Sequence, residues 1–135
     1  MLNTVMAKIN VRSWLNWAGI VVWLAVIFYF SSLKGGGVAN YSVLYFLERK
    51  SLHVIEYFIL TSLLYRALIQ NFSQAKVFIL AGALSLLYAM TDEWHQTFVP
   101  GREGLVRDVL IDLMGIVLAI IFIWSFKQWM SRKKQ

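Results

Sequence analysis

The sequence predicts an all-α polytopic membrane protein, a bundle of four transmembrane helices. Three observations lead there. Hydrophobic residues make up 59% of the 135-residue chain, with a mean hydropathy of +0.63. Charged residues make up only 15%, against about 25% in an ordinary soluble domain, which is too little polar surface to cover a water-facing globule. The charges also gather between apolar stretches instead of spreading along the chain.

Crossing hydrocarbon takes about 20 mostly apolar helical residues. The first span, about 14–32, is uninterrupted and ends at Phe30-Ser31-Ser32-Leu33-Lys34. It lacks a small-x-small cleavage site and reads as a span, not a removable signal. The second, about 51–70, is the most polar: His53, Glu56 and Arg66 accompany Tyr57-Phe58-Ile59-Leu60 and Leu63-Leu64-Tyr65. Its charges sit near the ends, where the penalty of roughly 2.5–3.5 kcal/mol for a mid-membrane charge falls away. The third runs about 76–92 with Lys76 snorkelling at its start, and the fourth about 108–126 with Asp112 near its start. The whole of 1–135 reads as a single domain.

The connections are polar. Lys34-Gly35-Gly36-Gly37 cannot continue a helix cheaply. Asn71-Phe72-Ser73-Gln74 is a short link. Pro100-Gly101 is a turn pair, because proline presets one position and glycine accepts positive φ at the next.

Charge sorting gives an orientation. With four spans, the N-terminus, second connection and C-terminal tail share a side holding Lys8, Arg12, Arg66, Lys76, Lys127, Arg132, Lys133 and Lys134, and no acid. The other side holds Lys34, Arg49, Lys50, Arg102 and Arg107 with all seven acids and both histidines. The positive-inside rule then puts both termini in the cytoplasm. Trp14, Trp17, Trp124 and Trp129 suit an aromatic belt at that interface. The net charge of +6 is explained by this flanking pattern, so no nucleic-acid partner is expected. The absence of cysteine excludes disulfides and thiolate metal sites.

Three segments bring polar residues to the acid-rich side at helical spacing. His53, Glu56 and Tyr57 share a face, as do Tyr88, Asp92, His95 and Gln96, with Glu93 on a neighbouring face. Asp108 and Asp112 lie one turn apart, and Gly115 extends their stripe where it can admit another backbone. Ionisable groups at membrane depth are expensive, so a cluster of them points to a function. Interhelical pairing alone is the competing explanation. The candidate catalytic groups are His53, Glu56, Asp92, Glu93, His95 and Asp108. His95 with Glu93 or Asp92 is the expected acid–base pair, and Asp108 orients a base or holds a metal. Lys50, Arg102 and Arg107 suit a phosphate or carboxylate, with Ser31, Tyr57 and Gln96 as further binding groups. A divalent metal is a candidate cofactor for the histidines and acids, although their spacing does not demand one. Asp92-Glu93-Trp94-His95 is not the zinc-protease helix. Ser31 or Ser32 could in principle act as a histidine-activated nucleophile, but Ser-Ser at a helix end is more often an exit signal.

These blocks resemble the VanZ-like family. Phe30-Ser31-Ser32, Lys50-x-x-His53-x-x-Glu56-Tyr57, Asp92-Glu93-x-His95-Gln96-x-Phe98-x-Pro100-x-Arg102, and Arg107-Asp108 with Gly115 carry the resemblance, over about residues 14–120. The Asp-Glu-x-His-Gln block with its arginine is the specific part, and Asp112 stands where many relatives are expected to have asparagine. The resemblance implies a small multi-spanning protein of the bacterial cytoplasmic membrane, from a family whose founding members are associated with low-level teicoplanin resistance. Three functions are then open: an enzyme acting on a lipid-linked or cell-envelope substrate at the outer headgroups, a non-catalytic binder of an envelope precursor or amphiphilic drug, and a proton-coupled transporter. Membrane lipid is a partner in each, and four spans would need a homodimer for alternating access.

Overall fold

The computed structural model describes residues 11–35 and 42–133, with the Val11 and Arg12 side chains left out. Lys8, Gly36, Gly37 and Lys134, and the Arg12 side chain, therefore lie outside the described residues. Four helices form a bundle: α1 (Val11–Ser32), α2 (Val43–Leu68), α3 (Gln74–Gln96) and α4 (Val106–Arg132). Three are long and apolar enough to cross a membrane, over Ser13–Ser32, Gln74–Gln96 and Val106–Arg132. The polar helix α2 is not among them.

Each helix runs longer than its apolar stretch. The sequence puts the second span at about residue 51, but α2 begins eight residues earlier. Ser42 caps it by accepting from the Tyr45 backbone N–H at 3.0 Å. Glu48-Arg49-Lys50 does not interrupt it, because charges end a hydrophobic stretch without breaking the backbone hydrogen-bond ladder. Likewise α4 continues past Phe126 through Lys127 to Arg132. The α3–α4 turn matches the sequence expectation. Arg102 N–H bonds Val99 C=O at 3.1 Å around Pro100-Gly101, and Gly101 has φ of 76°.

α1 and α3 end where α2 and α4 begin, so all seven acids collect at one end of the bundle. At the other end Lys127 on α4 reaches the Tyr65 hydroxyl of α2 (2.9 Å) and Gln74 of α3 (3.1 Å). Between the ends, Tyr57, Leu60, Leu64 and Leu68 of α2 pack with Val77, Ala81 and Ala89 of α3 and Ile116 and Ala119 of α4. The small residues set the spacing. Ala81, Ser85 and Ala89 recur every turn along one buried stripe of α3. Gly115 brings α4 onto α2 so closely that a Cβ there would lie 2.3 Å from the Val54 carbonyl oxygen. The Thr61 hydroxyl meets Ser85 at 2.9 Å in the buried middle of the bundle. Outward faces carry Val21, Ile79, Leu87, Leu110 and Phe122, each more than half exposed. Bare apolar side chains on every side are what a lipid solvent accepts and water does not.

Candidate functional site

Two polar rungs join α2 to α4. Lys50 Nζ lies 2.5 Å from Asp108 Oδ2, and one turn on His53 Nδ1 lies 2.9 Å from Asp112 Oδ1. The i, i+3 step on α2 answers the i, i+4 step on α4 because the two helices run the same way here. Asp112 is completely buried, and His53 is 7% exposed. An ionised carboxylate only accepts, so Nδ1–H of His53 donates to it and Nε2 is left for another partner.

α3 supplies a second layer. Gln96 Nε2 donates to Asp92 Oδ2 (3.1 Å) and Glu93 Oε1 (3.3 Å), and its Oε1 accepts from Arg102 Nη1 at 3.1 Å. Arg102 also donates from Nε to the Leu33 carbonyl at 2.9 Å and from Nη2 to the Phe30 carbonyl. Those carbonyls lie at and just beyond the C-terminal end of α1, where main-chain acceptors lack an i+4 partner in the helix and a cation is favoured. Burial, reinforced by Arg49, lowers the Arg102 pKa from its ordinary value, yet a guanidinium stays charged at any physiological pH. Glu93 Oε2 accepts from the Leu105 N–H at 3.2 Å, at the N-cap of α4.

A cavity of about 150 Å³ opens between α1, α2 and α3, bordered by Ser31, Arg49, His53, Glu56, Asp92 and Arg102. A smaller one of about 50 Å³ shares Arg49, His53 and Arg102 and reaches Lys50, Gln96 and Asp108. Ser31 Oγ, Tyr57 Oη and Asp112 Oδ2 are buried without a hydrogen-bond partner. His53, Asp92 and Glu93, all buried, each offer a donor atom within 4.8 Å of the others'. This is a donor set able to hold a metal ion.

The VanZ/LLP1 family model matches residues 15–127, from the first turns of α1 to Lys127 and so across every residue of this site. The chain belongs to the VanZ/LLP1 family. No curated protein and no solved structure matches it.

In this VanZ/LLP1 chain the sequence candidates separate into groups. His53, Glu56, Asp92, Ser31 and Arg102 surround one cavity. Lys50, Gln96 and Asp108 border its smaller neighbour. Tyr57 is wholly buried in the core. Arg107 is largely exposed, 3.4 Å from Asp108 and stacked over Phe46. The expected pairing of His95 with Glu93 or Asp92 is not what the geometry gives. His95 Nε2 lies 3.1 Å from Ser32 Oγ, and its ring lies against Phe28, with centroids 4.6 Å apart. Helical spacing placed His95 with Asp92 and Gln96, but the two buried residues turn into the bundle while His95 turns to α1. Ser32 Oγ also donates to the Phe28 carbonyl at 2.7 Å. A hydroxyl has one proton, so His95 must then donate to Ser32 and does not act as its base.

One residue of the site, Arg49, is not among the sequence candidates. Arg49 borders both cavities and donates to the Tyr45 hydroxyl at 3.1 Å. It lies one turn before His53, so its place was readable once α2 is known to start at Val43. Asp112 was seen as a deep acid, but its role as the orienter of His53 needed the α2–α4 pairing.

Proposed function

We propose that this chain is a four-span protein of the bacterial cytoplasmic membrane with both termini in the cytoplasm. In this reading it acts on a lipid-linked or cell-envelope substrate at the outer headgroup level. The carrying observation is the cavity of about 150 Å³ that sets His53, Glu56 and Asp92 beside Arg49 and Arg102 at the acid-rich end of the bundle. His53, oriented by Asp112, is the general base or acid through Nε2, in place of His95. Glu56 and Asp92 are the carboxylates that exchange protons with the substrate or its leaving group, and Arg49 is the cation that approaches an anionic headgroup. Arg102 holds the entrance together through α1.

The transporter reading has less support, because the polar groups away from the site end reduce mainly to the Thr61–Ser85 bond and the Lys127–Tyr65–Gln74 cluster among the described residues. The test is lipid and envelope-precursor analysis of cells with the wild-type chain, His53→Ala and no protein, with teicoplanin susceptibility alongside. A lipid or precursor species that changes with the wild type and reverts with His53→Ala supports catalysis. Identical profiles in all three cell types would refute it.

A further inference from the structure

We infer that His53, Asp92 and Glu93 bind a divalent transition-metal cation, with Asp112 as the carboxylate that positions the histidine. It is a cation site within the same cavity, so it deepens the proposed function and relies on it only for the chemistry the ion would serve; with the ion bound, His53 and Asp92 are ligands and proton transfer falls to Glu56 on the same cavity.

Four observations converge on it. The three donor groups come from different helices, α2 and α3, and still place one ligand atom each within 4.8 Å of the others. All three residues are more than nine-tenths buried. His53 Nδ1 already pairs with Asp112 at 2.9 Å, which leaves Nε2 as the nitrogen open to an ion. A carboxylate behind a histidine is the usual support of a metal-bound imidazole. Ser31, 3% exposed on the wall of the same cavity, has a hydroxyl with no partner.

The charge balance points the same way. Among the described residues the ion pairs reach Asp108 and Asp112, but none reaches Glu56, Asp92 or Glu93. Of the two arginines on the cavity, Arg102 is committed to the Phe30 and Leu33 carbonyls and to Gln96, and Arg49 donates to the Tyr45 hydroxyl. Buried carboxylates without a counter-charge must either take up protons or meet a cation. A divalent cation between Asp92, Glu93 and His53 neutralises two of them. It would also turn an acid-rich cavity into one that an anionic headgroup can approach. Gln96, donating to both Asp92 and Glu93, holds their remaining lone pairs in place. One imidazole nitrogen with two carboxylates and no sulfur suits Mn²⁺ or Zn²⁺, with open positions left for water or substrate.

The full chain in detergent, stripped with EDTA and dialysed, is titrated with Mn²⁺ followed by electron paramagnetic resonance and with Zn²⁺ followed by calorimetry. The expected result is one saturable equivalent of at least one ion per chain, with a rise in the thermal midpoint. Asp112→Asn keeps the shape of the support and should weaken binding about 10–100-fold. His53→Ala and Asp92→Asn should abolish the saturable site, whereas Lys127→Gln, at the opposite end, should bind like the wild type. Each variant's midpoint without metal reports whether it remains folded. No saturable binding by the wild type at millimolar ion overturns the inference, as does binding that survives both His53→Ala and Asp92→Asn in folded protein. Loss of the cellular lipid change in His53→Ala without metal binding by the wild type would overturn the cation and leave acid–base catalysis standing. Metal binding without any lipid change would do the reverse.

Discussion

Gly115→Ala tests the α2–α4 contact on which the site depends. The added Cβ would stand 2.3 Å from the Val54 carbonyl oxygen and 3.1 Å from the Val54 carbonyl carbon and Cα. Ordinary contact begins at 3.4 Å, so the helices must part by about 1 Å at this point. The obstacle is backbone on both sides, and no flexible side chain can turn away. Overpacking of this kind costs about 1–3 kcal/mol, against a helix-propensity gain of at most about 1 kcal/mol from replacing glycine. Gly19→Ala is the matched control. It lies in α1 with nothing within 4 Å of its added Cβ, so only the propensity gain acts there. Thermal unfolding in detergent should therefore fall for Gly115→Ala and hold or rise for Gly19→Ala. The displacement also acts on the site, because Val54 follows His53 and Asp112 lies one turn before Gly115. The 2.9 Å bond between His53 and Asp112 should lengthen, and saturable Mn²⁺ or Zn²⁺ binding should weaken with it. If Gly115→Ala melts at or above the wild type, the close approach of the two backbones does not hold the bundle as described.

Reporter fusions after Gln135 and within Asn71 to Gln74 should both give cytoplasmic signals, and a periplasmic signal at the C-terminus would mean an odd number of spans. Tyr57→Phe removes a buried hydroxyl that has no partner, so stability in detergent should hold or rise by about 1 kcal/mol. A clear loss would show that the hydroxyl is bonded in the folded protein. Arg102→Lys cannot reproduce a planar fork shared between the Phe30 and Leu33 carbonyls and Gln96. Proteolysis at the α1 exit should become faster, with a stability loss of about 1–3 kcal/mol, and an unchanged cleavage rate would count against the clamp. Glu93→Ala removes the carboxylate that receives the Leu105 N–H. It should lower the melting point as well as ion binding, and a change in binding alone would remove the capping role.

The helix count, the end of the bundle that holds the acids, the Pro100-Gly101 turn and the close approach at Gly115 were legible because each follows from local chemistry: hydropathy, charge, one fixed φ and one missing side chain. Partner choice was not. His95 and Asp92 are three residues apart and share a helical face, but which side of that face meets α1 and which meets α2 is set by packing that a single helix does not encode. Arg102 has the composition of an anion-binding residue, yet its guanidinium is occupied by main-chain carbonyls that no sequence pattern displays. A charged run ends an apolar stretch without ending a helix, so α2 starts at Val43, ahead of the span read from about residue 51.

The rungs between α2 and α4 also bear on the order of synthesis. Asp112 lies 59 residues after His53 in the chain, so the ribosome delivers α2 long before the carboxylates that answer its histidine and lysine. α2 is also the helix that is not among the three long and apolar enough to cross a membrane by length and composition. In a four-span chain it has to wait, beside the insertion machinery or against α1 through the Trp23 bond to the Glu56 carbonyl, until α4 arrives. The site is then completed only when α4 has been made. A chain cut short before Asp108 would keep α1 and α3, both apolar enough to cross a membrane, and lose the two carboxylates that answer Lys50 and His53.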